Sequence, residues 1–574
     1  MPTVLSWLRK LSSTIVPDQA AEPLRSTRFN AVGVALVALG IVLAAMLTLH
    51  GLGNNAFWDD EANTALFARN WLKTGALTAF DGVNVVGFRQ GAELNSKLEN
   101  IYMPPVQYYV AALGLRVFGN STVGARLPFL VAGLLSMGAL SLFVKWHLPR
   151  RVPAWVAVML LALSPAYLMF IRQCRYYSVT ALLTLVVLAS LVHKKSSRWA
   201  KAVGVFAAVM AAVTLMFANY LNAVALCAIL PVFLYLRRYR NLANASLVGA
   251  VYISLLVAGL YILRTANPLG TTVSYKDTIT GLPRIWRLLV WHTAGLPRFE
   301  FFPIVTPLMA LIVLVRSRVS RAASLPTLPA ESLFLCSVML VYSVAIVAFS
   351  PQTVTESTRV ADMRYAVPLM PLGAVATACV LCGVWGSSRM AGRVVSVVTA
   401  ALIVSTNALS SAMGGWLPLR STLFEYVREN AHDYVTGNEA IVGFLQKLPR
   451  PYVIRIIPDF MTYPAMFYAP AQHYCCQLPD DFPNKMREPV KLPIYVFNSR
   501  VLPDYILVGA DVEPQDLLVQ CAAAFGPGRY HVSQSLGTDF RDSSRPEIPW
   551  HSFGPPHGKT RGFTVLARSG LQNH

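Results

Sequence analysis

Long apolar runs dominate the first 410 residues of the chain. The first run, residues 29–49, has no charged side chain over 21 positions. As a helix rising about 1.5 Å per residue, it can cross a hydrocarbon core of about 30 Å. It is longer than a signal-peptide core, so we expect an anchor and not a cleaved leader. Ten more runs follow, at residues 122–146, 153–171, 176–193, 200–218, 220–236, 246–264, 300–316, 332–350, 364–386 and 391–411.

The hydrophobic pattern changes after about residue 413. Apolar density falls, and short β-rich runs at 439–444, 452–457, 493–499 and 504–510 alternate with helical patterns at 423–434 and 514–525. This alternation is typical of an α/β domain. The sequence thus predicts a polytopic α-helical membrane protein of about 11 transmembrane helices, with a C-terminal soluble α/β domain. The predicted parts are a cytoplasmic N-terminus (1–28), a transmembrane domain (29–413) and the soluble domain (414–574).

The composition is typical of a membrane protein, but its large positive net charge needs an explanation. The chain is 55% hydrophobic, with 49 Lys and Arg against 28 Asp and Glu, for a net charge of +21. The cations gather in alternate loops, as expected for cytoplasmic loops under the positive-inside rule. Topology therefore explains the charge, and we expect no nucleic-acid partner. The cations that carry this argument are Arg9, Lys10, Arg25, Arg28, Arg150, Arg151, Lys194, Lys195, Arg198, Lys201, Arg237, Arg238, Arg240, Arg316, Arg318, Arg321, Arg389 and Arg393.

The same orientation puts the long loop 50–121 and the C-terminal domain on the outer face. Cys475, Cys476 and Cys521 belong to that domain, where an oxidising compartment permits a disulfide. We expect one bridge to Cys521. Cys379 and Cys382 form a C-x-x-C inside an apolar helix without further ligands at zinc spacing, which indicates small core residues.

Three acidic residues, Asp59, Asp60 and Glu61, follow the first span directly. They begin a helical pattern that ends at Gly75. Acidic side chains at a helix N-terminus are stabilised by the helix dipole, so a purely structural cap is one interpretation. The other is a catalytic cluster at the outer membrane face.

The order of the neighbouring motifs favours catalysis. After the Asp-Glu pair comes Met-Pro-Pro-x-x-Tyr-Tyr (103–109), which begins an amphipathic helical pattern over 103–119. Ala-Arg-Leu-Pro (125–128) opens the second span, and Arg-Gln-Cys-Arg-Tyr-Tyr (172–177) lies at an outer turn. This order resembles membrane glycosyltransferases of the GT-C type. Within that type it is similar to the protein O-mannosyltransferases and lipid A aminoarabinose transferases, which use polyprenyl-phosphate sugars.

The resemblance implies roles for several residues. Asp60 takes the catalytic position with Glu61 beside it, and Asp59 is their neighbour in the site. Arg172 and Arg175 would bind the donor. Many relatives carry Lys where this chain has Met103, and Lys97 or Arg89 is expected to substitute for that cation. We also expect Arg126 to tie the outer helix ends together.

The chemistry of transfer adds further candidates. A base must take the acceptor proton, and cations must stabilise the departing phosphate. Arg364 and Tyr365, at the outer end of the tenth span, and Tyr108 and Tyr176 are candidates for donor contacts. Interfacial Arg and Tyr are also ordinary membrane anchors, so both interpretations stand. Crowding of carboxylates is expected to raise the pKa of the base.

The sequence predicts an inverting glycosyltransferase of a bacterial inner membrane. It would pass a sugar from polyprenyl (undecaprenyl) phosphate to a lipid, glycan or protein acceptor at the outer face. No His, Asp and Glu set has metal spacing, and a monophosphate leaving group flanked by Arg does not demand a metal, so no essential cofactor is expected. The alternatives are a lipid-linked oligosaccharide ligase or polymerase, and a secondary transporter or flippase, which should carry charges within its spans.

Overall fold

The fold is described by a computed structural model of the full chain. The residues described are 31–101, 103–148, 152–192, 197–236, 242–265, 279–295, 300, 302–319, 327–350, 352, 354, 363–386, 390–409, 419, 421–485, 491–498, 501–509, 513–539, 551 and 560–571. The predicted N-terminal segment 1–28 and most of the cations counted for topology lie outside this set. Of those cations, Arg198, Lys201, Arg316, Arg318 and Arg393 are inside it.

Helices fill the first two thirds of the described chain. In order they are α1 (Ala31–Leu49), α2 (Asp59–Thr74), α3 (Val106–Phe118), α4 (Thr122–His147), α5 (Ala154–Ala162), α6 (Pro165–Ile171), α7 (Tyr177–Val192), α8 (Arg198–Ala218), α9 (Tyr220–Leu236), α10 (Leu242–Thr265), α11 (Gly281–Gly295), α12 (Val305–Val319), α13 (Thr327–Phe349), α14 (Leu369–Trp385) and α15 (Met390–Ser405).

An apolar helix stands at each of the eleven predicted spans. Five helices are long and apolar enough to cross a membrane: α1, α4, α8, α10 and α13. A sixth span is the pair α5 and α6, which is bent by 74° where Pro165 follows a break in the helix. The other five are shorter apolar helices: α7, α9, α12, α14 and α15. The chain is therefore a multi-pass helical membrane protein, and the count of eleven stays a prediction.

The loop between α1 and α4 contains α2 and α3. Helix α2 has Asp59, Asp60 and Glu61 in its first turn and Lys73 in its last, which suits the helix dipole. It ends at Gly75, whose φ of 77° is the left-handed conformation that favours glycine after a helix. Both helices were predicted, and the structure confirms them.

The C-terminal region, which we define as residues 421–571, is an α/β fold. Its helices are α16 (Thr422–Asn430), α17 (Gly437–Gln446), α18 (Thr462–Tyr468) and α19 (Pro514–Phe525), and its strands are β1 (Val453–Ile457), β2 (His473–Tyr474), β3 (Tyr505–Gly509), β4 (Tyr530–Thr538) and β5 (Thr560–Arg568). The sheet order is β2-β1-β3-β5-β4. Strand β1 pairs in parallel with β2 and β3, while β5 is antiparallel to β3 and β4.

Two of the four predicted β runs are wrong. Residues 439–444 belong to helix α17, because Thr436 and Glu439 form a capping box and Ile441, Val442 and Leu445 form one buried face. Residues 493–499 contain a 3₁₀ turn, Ile494–Val496, which follows Pro493. The runs at 452–457 and 504–510 are strands β1 and β3, as predicted, and both predicted helices are present.

The outer loop 50–121 and the C-terminal region share one hydrophobic core. Phe67 of α2 and Tyr108 of α3 belong to the same buried cluster as Ile454 of β1 and Phe467 of α18. The two segments therefore lie on one side of the helices and fold against each other. The predicted boundary at 413 and 414 falls outside the described residues, and the assignment of this side as the outer face stays a prediction.

The cysteines differ from expectation. All eight are free thiols in the structure. Cys475 and Cys476 follow β2, with their sulfur atoms 3.6 Å apart, whereas Cys521 on α19 packs in a separate cluster with Ile506 and Leu517. The expected bridge to Cys521 is absent, since all three thiols of this region are free.

Candidate active site

Asp60 lies in the first turn of α2 and is paired with two arginines. It is only 9% exposed. Its Oδ2 atom is 2.7 Å from the guanidinium of Arg364 and 3.1 Å from that of Arg175. Arg175 also donates to the Asp60 carbonyl (3.3 Å) and to Thr64 Oγ1 (3.1 Å). Three segments far apart in sequence thus converge on one carboxylate.

Arg175 belongs to the turn between α6 and α7 and is 1% exposed. A buried guanidinium is stable only when its charge is compensated. Burial alone lowers the pKa of Arg175, but the Asp60 carboxylate raises it, and the net shift is upward. The guanidinium also lies 5.3 Å from the ring centre of Tyr176. Arg175 is a fixed cation beside Asp60.

Arg364 bonds to Asp60 from a segment 304 positions further along the chain. It begins the 3₁₀ turn Arg364–Ala366 ahead of α14, and its side chain is 25% exposed. The neighbouring Tyr365 ring is stacked on Tyr176, with centroids 6.5 Å apart. Of the two cations, Arg364 is therefore the one open to a ligand.

Tyr108 is the predicted aromatic residue that reaches this group from α3. Its ring packs on Phe67 of α2 (5.2 Å), and its hydroxyl has no hydrogen-bond partner within the described chain. Burial raises the pKa of Tyr108, and Arg175 and Asp60 are among the charges that act on it. Tyr108 is 0% exposed, so this unpaired hydroxyl is buried, and its contact with a substrate stays a prediction.

Glu61 has a different environment from Asp60. It is 0% exposed and accepts two hydrogen bonds from Arg126, at 2.9 and 2.7 Å, and one from the Cys174 backbone N–H at 2.7 Å. Arg126 also donates to the Leu52 and Asn55 carbonyls. This confirms that Arg126 ties the outer helix ends together, and it favours a positioning role for Glu61 over proton transfer.

Arg172 points away from Asp60, although it belongs to the same motif as Arg175. It donates to Asn430 Oδ1 and to the Gly51 carbonyl (2.6 Å), and it lies over the Tyr426 ring. Together with Glu61 and Arg126 it lines a cavity of about 60 Å³, and residues of α16 line the same cavity. The structure therefore brings Arg175 and Arg364 to Asp60, not Arg172.

The remaining predicted residues lie around the outer loop. Asp59 is half-buried in the first turn of α2, next to Asp60. Lys97 is exposed in a turn closed by its own N–H to Asn95 Oδ1 (2.9 Å). Arg89 lies in the helical turn Phe88–Gly91, but its side chain is outside the described residues.

Charges of both signs lie near Asp60, and the expected rise in its pKa stays a prediction. Glu61 is paired with Arg126, and the two ion pairs described for Asp60 are with guanidiniums, which stabilise a carboxylate anion. An ionised carboxylate is a proton acceptor, and two guanidiniums form a fork suited to phosphate oxygens. In the described part of the chain no three His, Cys, Asp or Glu side chains are grouped for a metal. The expectation of metal-independent chemistry stays a prediction.

Sequence reasoning missed the C-terminal residues that contact the segment ahead of α2. Asn438, Glu439 and Tyr468 bond to Ala56 and Phe57, which are 381 to 411 positions away along the chain. No motif marks these three residues. Only tertiary structure reveals them.

Comparison with known proteins agrees with this architecture. The sequence model of the family described as dolichyl-phosphate-mannose-protein mannosyltransferase matches residues 102–263. The crystal structure of ArnT from Cupriavidus metallidurans in the apo state is similar at a TM-score of 0.51 and 16% identity, covering 94% of this chain and 98% of that one. The chain therefore has the fold of this ArnT structure.

Two further solved structures are similar to the chain. The ArnT structure bound to undecaprenyl phosphate matches with the same TM-score, identity and coverage as the apo form. The archaeal oligosaccharyltransferase AglB from Archaeoglobus fulgidus, solved with an inhibitory peptide and a dolichol-phosphate, has a TM-score of 0.48 at 11% identity. It covers 86% of this chain and 71% of its own. No curated protein matches the sequence.

Proposed function

We propose that the chain is a glycosyltransferase of the GT-C type, and that it inverts the anomeric centre of a sugar taken from a polyprenyl-phosphate carrier, with undecaprenyl phosphate as the expected lipid. The acceptor is a hydroxyl of a lipid, glycan or protein at the outer face of a bacterial inner membrane. The observation that carries the proposal is the pairing of one buried carboxylate, Asp60, with Arg175 and Arg364.

The two arginines are assigned to the donor phosphate. Asp60 and a phosphate monoanion are both oxyanions, so the incoming phosphate competes with Asp60 for the same guanidinium groups. Arg364 is the more exposed of the two and would exchange partners first. Donor binding then releases Asp60 from at least one arginine and leaves it ionised beside the sugar.

Asp60 is assigned the role of general base. It takes the proton from the acceptor hydroxyl, whose oxygen attacks the anomeric carbon. The bond between that carbon and the phosphate oxygen breaks, and its electron pair leaves with polyprenyl phosphate. The arginines stabilise the charge that develops on the leaving group. A single displacement with one base inverts the anomeric centre.

The surroundings of the triad support a sugar site. The unpaired Tyr108 hydroxyl and the stacked rings of Tyr176 and Tyr365 offer a hydrogen bond and aromatic surfaces. The use of a lipid phosphate is consistent with the names of the similar proteins, since one ArnT structure holds undecaprenyl phosphate and the matching family is named for a dolichyl-phosphate sugar.

The test is donor consumption by the purified protein in lipid nanodiscs. A panel of radiolabelled polyprenyl-monophosphate sugars and polyprenyl-diphosphate oligosaccharides is incubated with crude membrane acceptors. We expect one monophosphate sugar to be consumed, with release of polyprenyl phosphate and inversion of the anomeric centre in the product. Consumption of a diphosphate oligosaccharide alone would support the ligase alternative, and no consumption of either class would refute transfer.

A further inference from the structure

The segment that leads into α2 lacks a cap of its own. The residue before the helix is Trp58, whose side chain makes no capping hydrogen bond. Its indole N–H is a donor, and a helix N-terminus needs acceptors. Arg175 and Arg364 bond to Asp60 itself, two residues further on, but the backbone that leads to it must be held by other groups.

Three side chains of the C-terminal region supply that fixation. Tyr468 accepts from the Phe57 N–H (3.1 Å), and Asn438 donates to the Phe57 carbonyl (2.9 Å). Glu439 accepts from the Ala56 N–H at 2.7 Å. Both backbone groups of Phe57 and the amide before it are thus bonded to residues of another region.

The Phe57 side chain is fixed in the same way. Its ring is fully buried and packs edge-on against Phe467 at 4.9 Å, with Tyr468 at 5.6 Å. The Tyr468 hydroxyl also lies 2.6 Å from the hydroxyl of Thr122, the first residue of α4. One turn further along α4, Arg126 binds Glu61. Tyr468 therefore joins the start of α2 to the start of the helix that positions its first turn.

We propose that Asn438, Glu439 and Tyr468 form a clamp that positions Asp60 for catalysis, so that the C-terminal region is part of the catalytic machinery. The reaction tolerates little displacement of a base from its substrate. The arginines that oppose Asp60 come from the α6–α7 turn and from residue 364, neither of which is bonded to the clamp residues by the hydrogen bonds described. Loosening the clamp therefore frees the backbone that leads to Asp60 without removing a bond that holds either arginine.

If the clamp positions Asp60, removal of the Tyr468 hydroxyl should slow the proposed transfer. Tyr468→Phe keeps the ring and removes both hydroxyl contacts. Because an ordinary hydrogen bond contributes modestly, we expect kcat to fall roughly tenfold. We expect the affinity for polyprenyl phosphate to stay within twofold, since Arg175 and Arg364 are untouched.

The chain offers a matched control at the same interface. Tyr495 donates its hydroxyl to the Val83 carbonyl at 2.6 Å, so it also joins the C-terminal region to the outer loop, but far along the chain from the start of α2. Tyr495→Phe is expected to leave kcat unchanged. In an Asp60→Asn background, Tyr468→Phe is expected to cause no further loss, because the base that it positions is gone.

This inference rests on the proposed function for its kinetic readout, so a second readout is independent of activity. Hydrogen–deuterium exchange of the full-length protein in nanodiscs reports on the amides of residues 56–64. We expect faster exchange there in Tyr468→Phe and not in Tyr495→Phe. If wild type consumes no donor while exchange changes as expected, transfer fails and the clamp stands. Equal kcat, or equal exchange, in the two Tyr→Phe variants would overturn the clamp.

Discussion

At the scale of single residues, the proposed mechanism depends on the Asp60 carboxylate, which bonds to two guanidiniums. Asp60 bonds to Arg175, which is almost fully buried, and to Arg364, which is partly open. The unequal exposure separates their roles. Arg175 is buried, whereas Arg364 is the arginine that we propose changes partner when a phosphate binds.

The first prediction concerns Arg364→Lys. A lysine keeps the charge but loses the fork that matches phosphate oxygens. We expect the Kd for polyprenyl phosphate to rise about tenfold, since a hydrogen bond to a charged group is worth about 1.5–3 kcal/mol. Binding is measured by titration in nanodiscs. Arg172→Lys is the matched control, because Arg172 bonds to Asn430 and Gly51, and an equal effect of both changes would contradict the assignment.

A second prediction separates Glu61 from Asp60. Glu61→Ala leaves the buried Arg126 without its counter-ion, so we expect a loss of about 3–5 kcal/mol in the free energy of unfolding. Unfolding of the purified protein measures it. Glu99→Ala, which removes a carboxylate bonded to the neutral Asn95 amide, should cost far less. Unchanged stability with lost activity would instead support the catalytic role that the sequence suggested for Glu61.

The sequence led to Asp60 and Arg175 through the order of motifs that resembles GT-C enzymes, and to Arg364 through its place at the predicted outer end of a span. It could not separate Arg172 from Arg175, since two arginines three positions apart in an irregular turn can point in opposite directions. It also expected acidic crowding around Asp60. The structure instead neutralises Glu61 through Arg126, a partner 65 positions away along the chain.

At the scale of elements, the turn that bears Arg175 is held by the contact between α4 and α6. Gly133 of α4 sits so close to α6 that an added Cβ would be 2.6 Å from the Cβ of Ile171. The Gly133 carbonyl also accepts from the Tyr167 hydroxyl at 2.8 Å. Because Gly133 has no side chain, the short helix α6 can lie directly against α4.

A third prediction follows from that contact. Gly133→Val should push α6 away from α4, costing about 1–3 kcal/mol as in other overpacked cores, and should displace Arg175. We expect lower thermal stability and weaker polyprenyl-phosphate binding. Gly138→Val on the same helix is the control, because a Cβ there meets nothing within 4 Å. Equal behaviour of the two variants would show that α6 is not positioned by this contact.

Elements were predictable where the pattern was long. The apolar runs and helices α2 and α3 were found because their periodicity extends over many residues. The short run 439–444 was misread as a strand, since six apolar-rich residues fit either structure and the capping box of Thr436 and Glu439 decided the outcome. Strands β4 and β5 were missed because they carry no strong alternation.

At the scale of the whole molecule, the C-terminal region and the outer loop behave as one folded unit. They share a buried core, and Arg69 of α2 donates to the carbonyls of Met466 and Phe467. The pattern of apolar density suggested a separate domain. A fall in the fraction of apolar residues along the sequence indicates where membrane spans end. It does not indicate which loops pack together in the folded protein.

The fourth prediction tests whether the outer loop needs the C-terminal region to fold. A chain ending at residue 420 should lose the ordered structure of the outer loop, because the apolar residues of α2 and α3 would face water. We expect rapid proteolysis within 50–121 and no transfer, measured with the truncated protein in nanodiscs beside the full chain. A truncated chain with wild-type transfer would contradict both the shared core and the clamp.

The central claim is that Asp60 is the base, and a pair of isosteric changes tests it most directly. Asp60→Asn and Asp59→Asn are compared with wild type for turnover of the donor and for binding of polyprenyl phosphate. We predict that Asp60→Asn lowers turnover about 100-fold or more while binding polyprenyl phosphate more tightly, since its arginines lose their carboxylate partner. Asp59→Asn should retain activity. Full activity of Asp60→Asn would contradict the account and leave the acidic cluster as a helix cap.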